Sequence, residues 1–140
     1  MILKQANPEN HLHKNHIMTV QEIANQLVTL CNQGKFDEAV QELYSPNIVS
    51  IEPPGGGFTE RIEGLEAYHK KGKQWNSMLE AFHSSKMSEP VVAGQYFTLK
   101  MEMDVTMKGG VREKSEEICL YQVKDGKIVQ EKFFYDMPAG

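Results

Sequence analysis

Four side chains in this sequence have the chemistry to move a proton: Glu52, Glu117, Glu131 and His83. Glu52 stands in "SIEPPGGG", residues 50–57, where a β-like run ends in one acid and two prolines and three glycines follow. A loop of that composition turns sharply or moves as a lid. It can set the carboxylate at the lip of a pocket; the plain alternative is a solvated strand end. Glu117 and Glu131 interrupt otherwise apolar strand faces. Buried and unpaired, each would cost several kcal/mol. They must therefore reach water at a rim, pair with Lys or Arg, or take up a proton, and the last case makes an acid–base group. His83, beside Phe82 and Ser84, can face the same pocket as acid or base, or lie at a solvated helix end.

The elements that must position these groups read as follows. Thr19-Val20-Gln21-Glu22 is a capping box, after which Ile23, Leu27, Leu30 and Cys31 give a helical stripe stopped by Gly34. Phe36, Ala39, Val40 and Leu43 mark a short second helix ended by Pro46, and Ile48, Val49 and Ile51 a short strand. The spacing of Leu65, Tyr68, Trp75, Leu79 and Phe82 predicts a long helix from about Gly64 to Phe82. Strands are predicted over 86–93, 96–108, 112–124 and 127–136, the second from strict alternation of Phe97, Leu99, Met101, Met103, Val105 and Met107. The class is α+β, with helices on one face of a bent antiparallel sheet. Such a sheet encloses a cone whose cavity suits a small molecule. Trp75 and Leu79 on the long helix then line the pocket.

The hairpin at Lys124-Asp125-Gly126 decides which strand residues face inward, because a one-residue slip exchanges faces. A two-residue loop pairs Lys124 with Lys127; a three-residue loop pairs Val123 with Lys127. The three-residue loop is preferred, since it groups Cys119, Tyr121, Val123, Val129, Phe133 and Tyr135 with Glu117 and Glu131.

The chain has 140 residues, enough for one domain with its own core. Fifteen basic against nineteen acidic residues leave a charge of −4, with no global attraction to nucleic acid or anionic membrane. No apolar run is long enough for a membrane span. Cys31 and Cys119 read as buried thiols of a reducing cytosol. Residues 1–18 read as a flexible polar tail without a secretory signal, and Met18 could be an internal start. His11, His13 and His16 in that tail lack a further ligand to complete a metal site, so no metal is expected. Gly55-Gly56-Gly57 is not a phosphate loop, because no Gly-Lys-Ser/Thr follows, so no nucleotide cofactor is expected either.

The element order, "NIVSIEPPG", and above all "EEICLYQVKDGKIVQEKFFY" resemble the nuclear transport factor 2-like superfamily, and within it the SnoaL-like group, over residues 19–137. The resemblance implies a cone-shaped, cystatin-like fold: three helices on a curved sheet, often paired as homodimers through the outer sheet face. The superfamily includes ketosteroid isomerase, polyketide cyclases and non-catalytic binders, so fold alone does not specify chemistry. Against ketosteroid isomerase, Glu52 matches the general base. The oxyanion tyrosine is replaced by Leu27, and the protonated aspartic acid by Cys119 or Ile118. Losing one oxyanion donor costs roughly 3–4 kcal/mol of barrier, so that mechanism is not expected. Asp136 resembles the last acid of a limonene epoxide hydrolase site, but its Arg and first Asp have no counterparts. SnoaL-like cyclases need one acidic residue and a shaped pocket. Glu52, Glu131 or Glu117 can meet that demand, with Tyr135 and His83 assisting. The resulting expectation is a cytoplasmic homodimer that binds a small apolar molecule. It either performs cofactor-free isomerisation, cyclisation or dehydration, or serves as a non-catalytic binding or protein-interaction domain.

Overall fold

The structure is a computed structural model that describes residues 17–137. His11, His13 and His16 lie outside the described residues. Helix α1, Val20–Asn32, starts at the predicted capping box: the Glu22 amide donates to Thr19 Oγ1 at 3.1 Å, and the Thr19 amide to Glu22 Oε1 at 2.8 Å. Its apolar stripe, Ile23, Leu27, Leu30 and Cys31, is buried. Helix α2, Phe36–Leu43, runs directly into strand β1, Tyr44–Ile51. Strand β2, Arg61–Glu63, precedes helix α3, Leu65–Ser77. Then come β3, Leu79–Met87, β4, Val91–Ala93, β5, Tyr96–Met107, β6, Arg112–Lys124, and β7, Lys127–Phe134.

Helix α3 is shorter than its sequence pattern suggests. Leu79 and Phe82 continue the helical spacing of Tyr68 and Trp75, yet both belong to β3, which pairs antiparallel with β5. The helix ends at Ser77 with Met78 as its cap, and β3 begins one residue later. Apolar residues at i and i+3 also satisfy a strand that carries a bulge, and β3 shifts register between Leu79 and Ala81. The strand predicted over 86–93 is therefore the end of β3 plus β4.

The strands form one sheet in the order β2-β1-β7-β6-β5-β3, with β4 also on β5. It is mixed rather than wholly antiparallel, because β1 lies parallel to β7, with Ser50 opposite Glu131 and Ile51 opposite Lys132. A parallel neighbour requires a long return path, and here everything from β2 to β6 supplies it. Helices α1 and α2 pack on the inner face with Phe97, Leu99, Cys119, Tyr121 and Ile128, and the Phe97 and Tyr121 rings stack at 4.7 Å. Helix α3 lies against β1 and β2 at the other end and has no fully buried residue. On the outer face Ile118 and Phe134 stand opposite each other and exposed. Among the described residues, no helix is long and apolar enough to cross a membrane.

The β6–β7 turn corrects the preferred loop. Lys124 pairs with Lys127 across a two-residue turn, in which Asp125 and Gly126 have φ of 50° and 75°. Both central residues at positive φ make the tight hairpin turn that matches strand twist. A bulge then leaves Val129 unpaired between Ile128, opposite Val123, and Gln130, opposite Gln122. The extra residue restores the parity of the three-residue loop. Cys119 meets Phe133, and Tyr121 meets Glu131, on the inner face. Ile128, not Val129, is the buried residue.

Candidate acid–base site

Glu52 follows the last residue of β1 and is 7% exposed. Its amide donates to the Glu60 carbonyl at 2.8 Å, which closes residues 53–59 into a loop. Within the loop the Gly56 amide donates to the Pro53 carbonyl at 3.3 Å. Gly55 and Gly57 have φ of 84° and 85°, where a side chain would be strained. Gly56 is needed for a different reason: a Cβ there would lie 2.5 Å from the Tyr135 hydroxyl oxygen. The loop backbone thus rests on that hydroxyl, which donates to Glu52 Oε1 at 2.7 Å. The loop folds over its acid.

The other Glu52 oxygen, Oε2, forms an ion pair with Lys71 of α3. The same ammonium donates to Ser50 Oγ at 2.7 Å and lies 5.0 Å from the centre of the Phe133 ring. Ser50 donates in turn to Glu131 Oε2 at 2.6 Å, as the β1–β7 register requires. Glu131 Oε1 accepts from the Tyr44 hydroxyl at 2.5 Å, and the Tyr44 ring meets Tyr68 edge-on at 5.3 Å. Tyr135, Glu52, Lys71, Ser50, Glu131 and Tyr44 therefore form one connected chain of hydrogen bonds through the interior.

Electrostatics divides the acids. Burial raises the Glu131 carboxyl, while Ser50, Tyr44 and then Lys71 pull it back and Glu52 opposes them. Glu117 is raised to about 7, first by burial and then by the charge on Glu52; the Cys119 thiol, 3.7 Å away, and Lys71 offset this only partly. Tyr44, Tyr68 and Tyr121 are pushed well above the ordinary tyrosine value, chiefly by burial and secondarily by charged neighbours, Glu131 among them. Tyr135 is also raised, by burial and by its bond to Glu52. Burial drives the Cys31 thiol up to about 12, and Cys119 is raised for the same reason. Lys71 thus pairs directly with Glu52 and acts on Glu131 and Glu117 only at a distance, and burial favours the protonated form of both.

The structure brings Glu52, Glu131, Glu117, Tyr135, Phe133 and Cys119 together around Lys71. His83 does not join them: it lies exposed on β3, with Nε2 2.7 Å from Thr106 Oγ1. The early end of α3 put it on a strand, not at a helix end over the pocket. Leu79 moves to β3 with it. Trp75 is half-buried on α3, its ring 6.4 Å from Phe58 of the loop. Leu27 and Tyr121 are buried in the core. Sequence reasoning missed Lys71, Ser50 and Tyr44. A signal for Lys71 existed, since it sits on the Tyr68–Trp75 stripe, three residues after one and four before the other. The acids lie among tyrosine hydroxyls rather than on a purely apolar wall.

Two recesses accompany these groups. One of about 200 Å³ lies between α3 and the β1–β2 segment, lined by Thr59, Ile62, Ala67, Lys70, Lys71 and Gln74. Another of about 670 Å³ lies on the far part of β3, β5 and β6 and is lined mainly by polar and charged residues. Among the described residues, no group of three or more His, Cys, Asp or Glu could hold a metal ion.

A family model described as a SnoaL-like domain matches residues 18–135. The chain belongs to the SnoaL-like family. This SnoaL-like chain is 35% identical to a candidate SnoaL-like polyketide cyclase of Mesorhizobium loti, whose description also carries the words carbohydrate phosphatase. That likeness covers 84% of this chain and 100% of the other, with a TM-score of 0.78. A Xanthomonas campestris protein of unknown function, described as having a cystatin-like fold, is 20% identical, with 86% and 92% covered and a TM-score of 0.73. A candidate polyketide cyclase of Pseudomonas putida is 16% identical, with 86% and 93% covered and a TM-score of 0.64. The last two likenesses speak to fold alone, and with the NTF2-like proteins of Burkholderia they show that this SnoaL-like chain has the cystatin-like, nuclear transport factor 2-like fold. No curated protein matches it.

Proposed function

We propose that this SnoaL-like protein binds a small, largely apolar molecule and moves a proton on it without a cofactor, as an isomerase, cyclase or dehydratase does. One observation carries this reading: Glu117, near the Glu52–Lys71 ion pair, is held at a pKa of about 7 by burial and by the charge on Glu52. A group poised near the working pH can both give and take a proton. Glu52 is the second proton-transfer group, aligned by Lys71 and Tyr135. Lys71 and Tyr135 also offer positive charge and a hydroxyl where a substrate oxygen could develop charge. They replace the oxyanion donors that Leu27 and Cys119 cannot provide. Glu131, with both oxygens occupied, is a positioning residue that holds Ser50 and through it Lys71. In this reading the protein works as a homodimer paired through the outer sheet face around Ile118 and Phe134.

A non-catalytic binding domain is favoured by a different observation: both oxygens of Glu52 are also occupied, by Lys71 and Tyr135. Exchange of acidic C–H protons in D2O, followed by proton NMR over a panel of small apolar ketones and esters, separates the two. Catalysed exchange that is lost in Glu117→Gln supports proton transfer. Compounds that bind and raise the melting temperature, with no exchange above buffer, would make this a binding domain.

A further inference from the structure

We propose that the recess beside α3 is an anion subsite that takes the carboxylate of a small organic acid, held by Lys71 and Lys70. This names a substrate class for the site above, and it rests on the proton-transfer reading only for what binding does to Glu52. The recess of about 200 Å³ would hold roughly six or seven waters at about 30 Å³ each. That is below the usual range for a whole drug-sized ligand, so it suits a head group or a small acid. Its walls have the right chemistry. Lys70 and Lys71 bring two ammonium groups, Thr59 a hydroxyl and Gln74 an amide, while Ile62 and Ala67 make an apolar floor. No carboxylate is among these lining residues, although the chain as a whole carries −4. Lys71 is paired with Glu52, so Lys70 gives the recess its net positive charge, which on an acidic protein favours anions.

Lys71 also joins the recess to the carboxylate chain. Its ammonium has three hydrogens, and Glu52 and Ser50 take two of them. A bound carboxylate takes the third and competes with Glu52 for the charge. Occupation of the recess therefore loosens the hold on Glu52 and makes it the stronger base. Coupling of this kind is reciprocal: neutralising Glu52 must tighten the recess for an anion.

Sodium benzoate and neutral benzamide, titrated into the full chain at constant ionic strength and followed by ¹H–¹⁵N NMR, test this. Benzoate is expected to shift the amides of Thr59, Lys70, Lys71 and Gln74 saturably, and benzamide to leave them unmoved. Glu52→Gln is expected to tighten benzoate binding about tenfold, and Lys71→Gln to weaken it by a similar factor, the scale of a charge-assisted hydrogen bond. Lys70→Gln, at an exposed position that leaves the interior intact, is expected to weaken it about threefold, as an exposed charge does. Equal binding of benzamide, or benzoate affinity that stays the same or falls in Glu52→Gln, would overturn the subsite. These readouts require no turnover, so they can fail or succeed independently of the D2O exchange.

Discussion

Lys71→Met tests whether the buried acids depend on a single cation. Methionine keeps the length and packing of the lysine stem but removes the charge. The lysine and glutamate side chains are 15% and 7% exposed, so the pair is largely shielded from water. Removing one partner of such a pair typically costs 3–5 kcal/mol, because the other charge remains behind. The protein has a way to limit that loss. An acid can take up a proton, and protonating an ordinary glutamate of pKa about 4.3 at pH 7 costs about 3.7 kcal/mol. The destabilisation at pH 7 should therefore fall near 3–4 kcal/mol. The sign with pH follows: in the variant the folded state binds more protons than the unfolded one, so its stability decreases as pH rises. At pH 5 the same protonation costs only about 1 kcal/mol, and the gap to the parent protein should shrink accordingly. Urea unfolding at the two pH values, followed by circular dichroism, measures both numbers. A loss that is the same at pH 5 and pH 7 would refute the charge-sharing argument and mean that Lys71 acts through packing alone.

Glu117→Gln addresses the same cluster from the other side. The folded pKa of Glu117 is raised to about 7, so the parent is favoured below about pH 4.5 and loses up to about 3 kcal/mol as pH rises through 7; the variant should lack that decline and be the more stable protein at pH 8 in urea titrations. Gly56→Ala should cost about 1–2 kcal/mol in the parent, from displacing the half-buried Tyr135 hydroxyl from Glu52. In a Tyr135→Phe background the clashing oxygen is gone, so the alanine should cost little, and a thermal-melt double-mutant cycle that came out additive would contradict the close approach.

Much of this fold is legible in the residues. The capping box at Thr19 and Glu22 and the alternation from Phe97 to Met107 rest on local chemistry, and local chemistry decides those elements. The end of α3 was not legible, because Leu79 and Phe82 fit a helical period as well as a bulged strand. The inward grouping of Glu131 with Cys119, Tyr121 and Phe133 was legible, although the loop proposed for it was not. A tight Asp125-Gly126 turn plus the Val129 bulge has the same parity as a three-residue loop, and parity is all that side-chain facing records. Within the site, the acids could be found because a charge on an apolar face is anomalous. Their partners were hidden for the opposite reason. A lysine among Lys70 and Lys73 reads as solvated, and Ser50 and Tyr44 acquire meaning only from the parallel pairing of β1 with β7, which no local pattern encodes.

That pairing also sets when the cluster can come into being. Tyr44, Ser50 and Glu52 meet Glu131 and Tyr135 across sequence separations of 87, 81 and 83 residues. Contacts so distant are made late, since most of the chain's freedom must be given up before they form. During synthesis, helix α1 and the hairpins can assemble while β1 waits without its central neighbour. Only when the final strand arrives does the sheet close, and the acids gain their hydroxyls and register in the same event. Native architecture and the interior hydrogen-bond chain are thus reached together, and a partly folded chain carries neither.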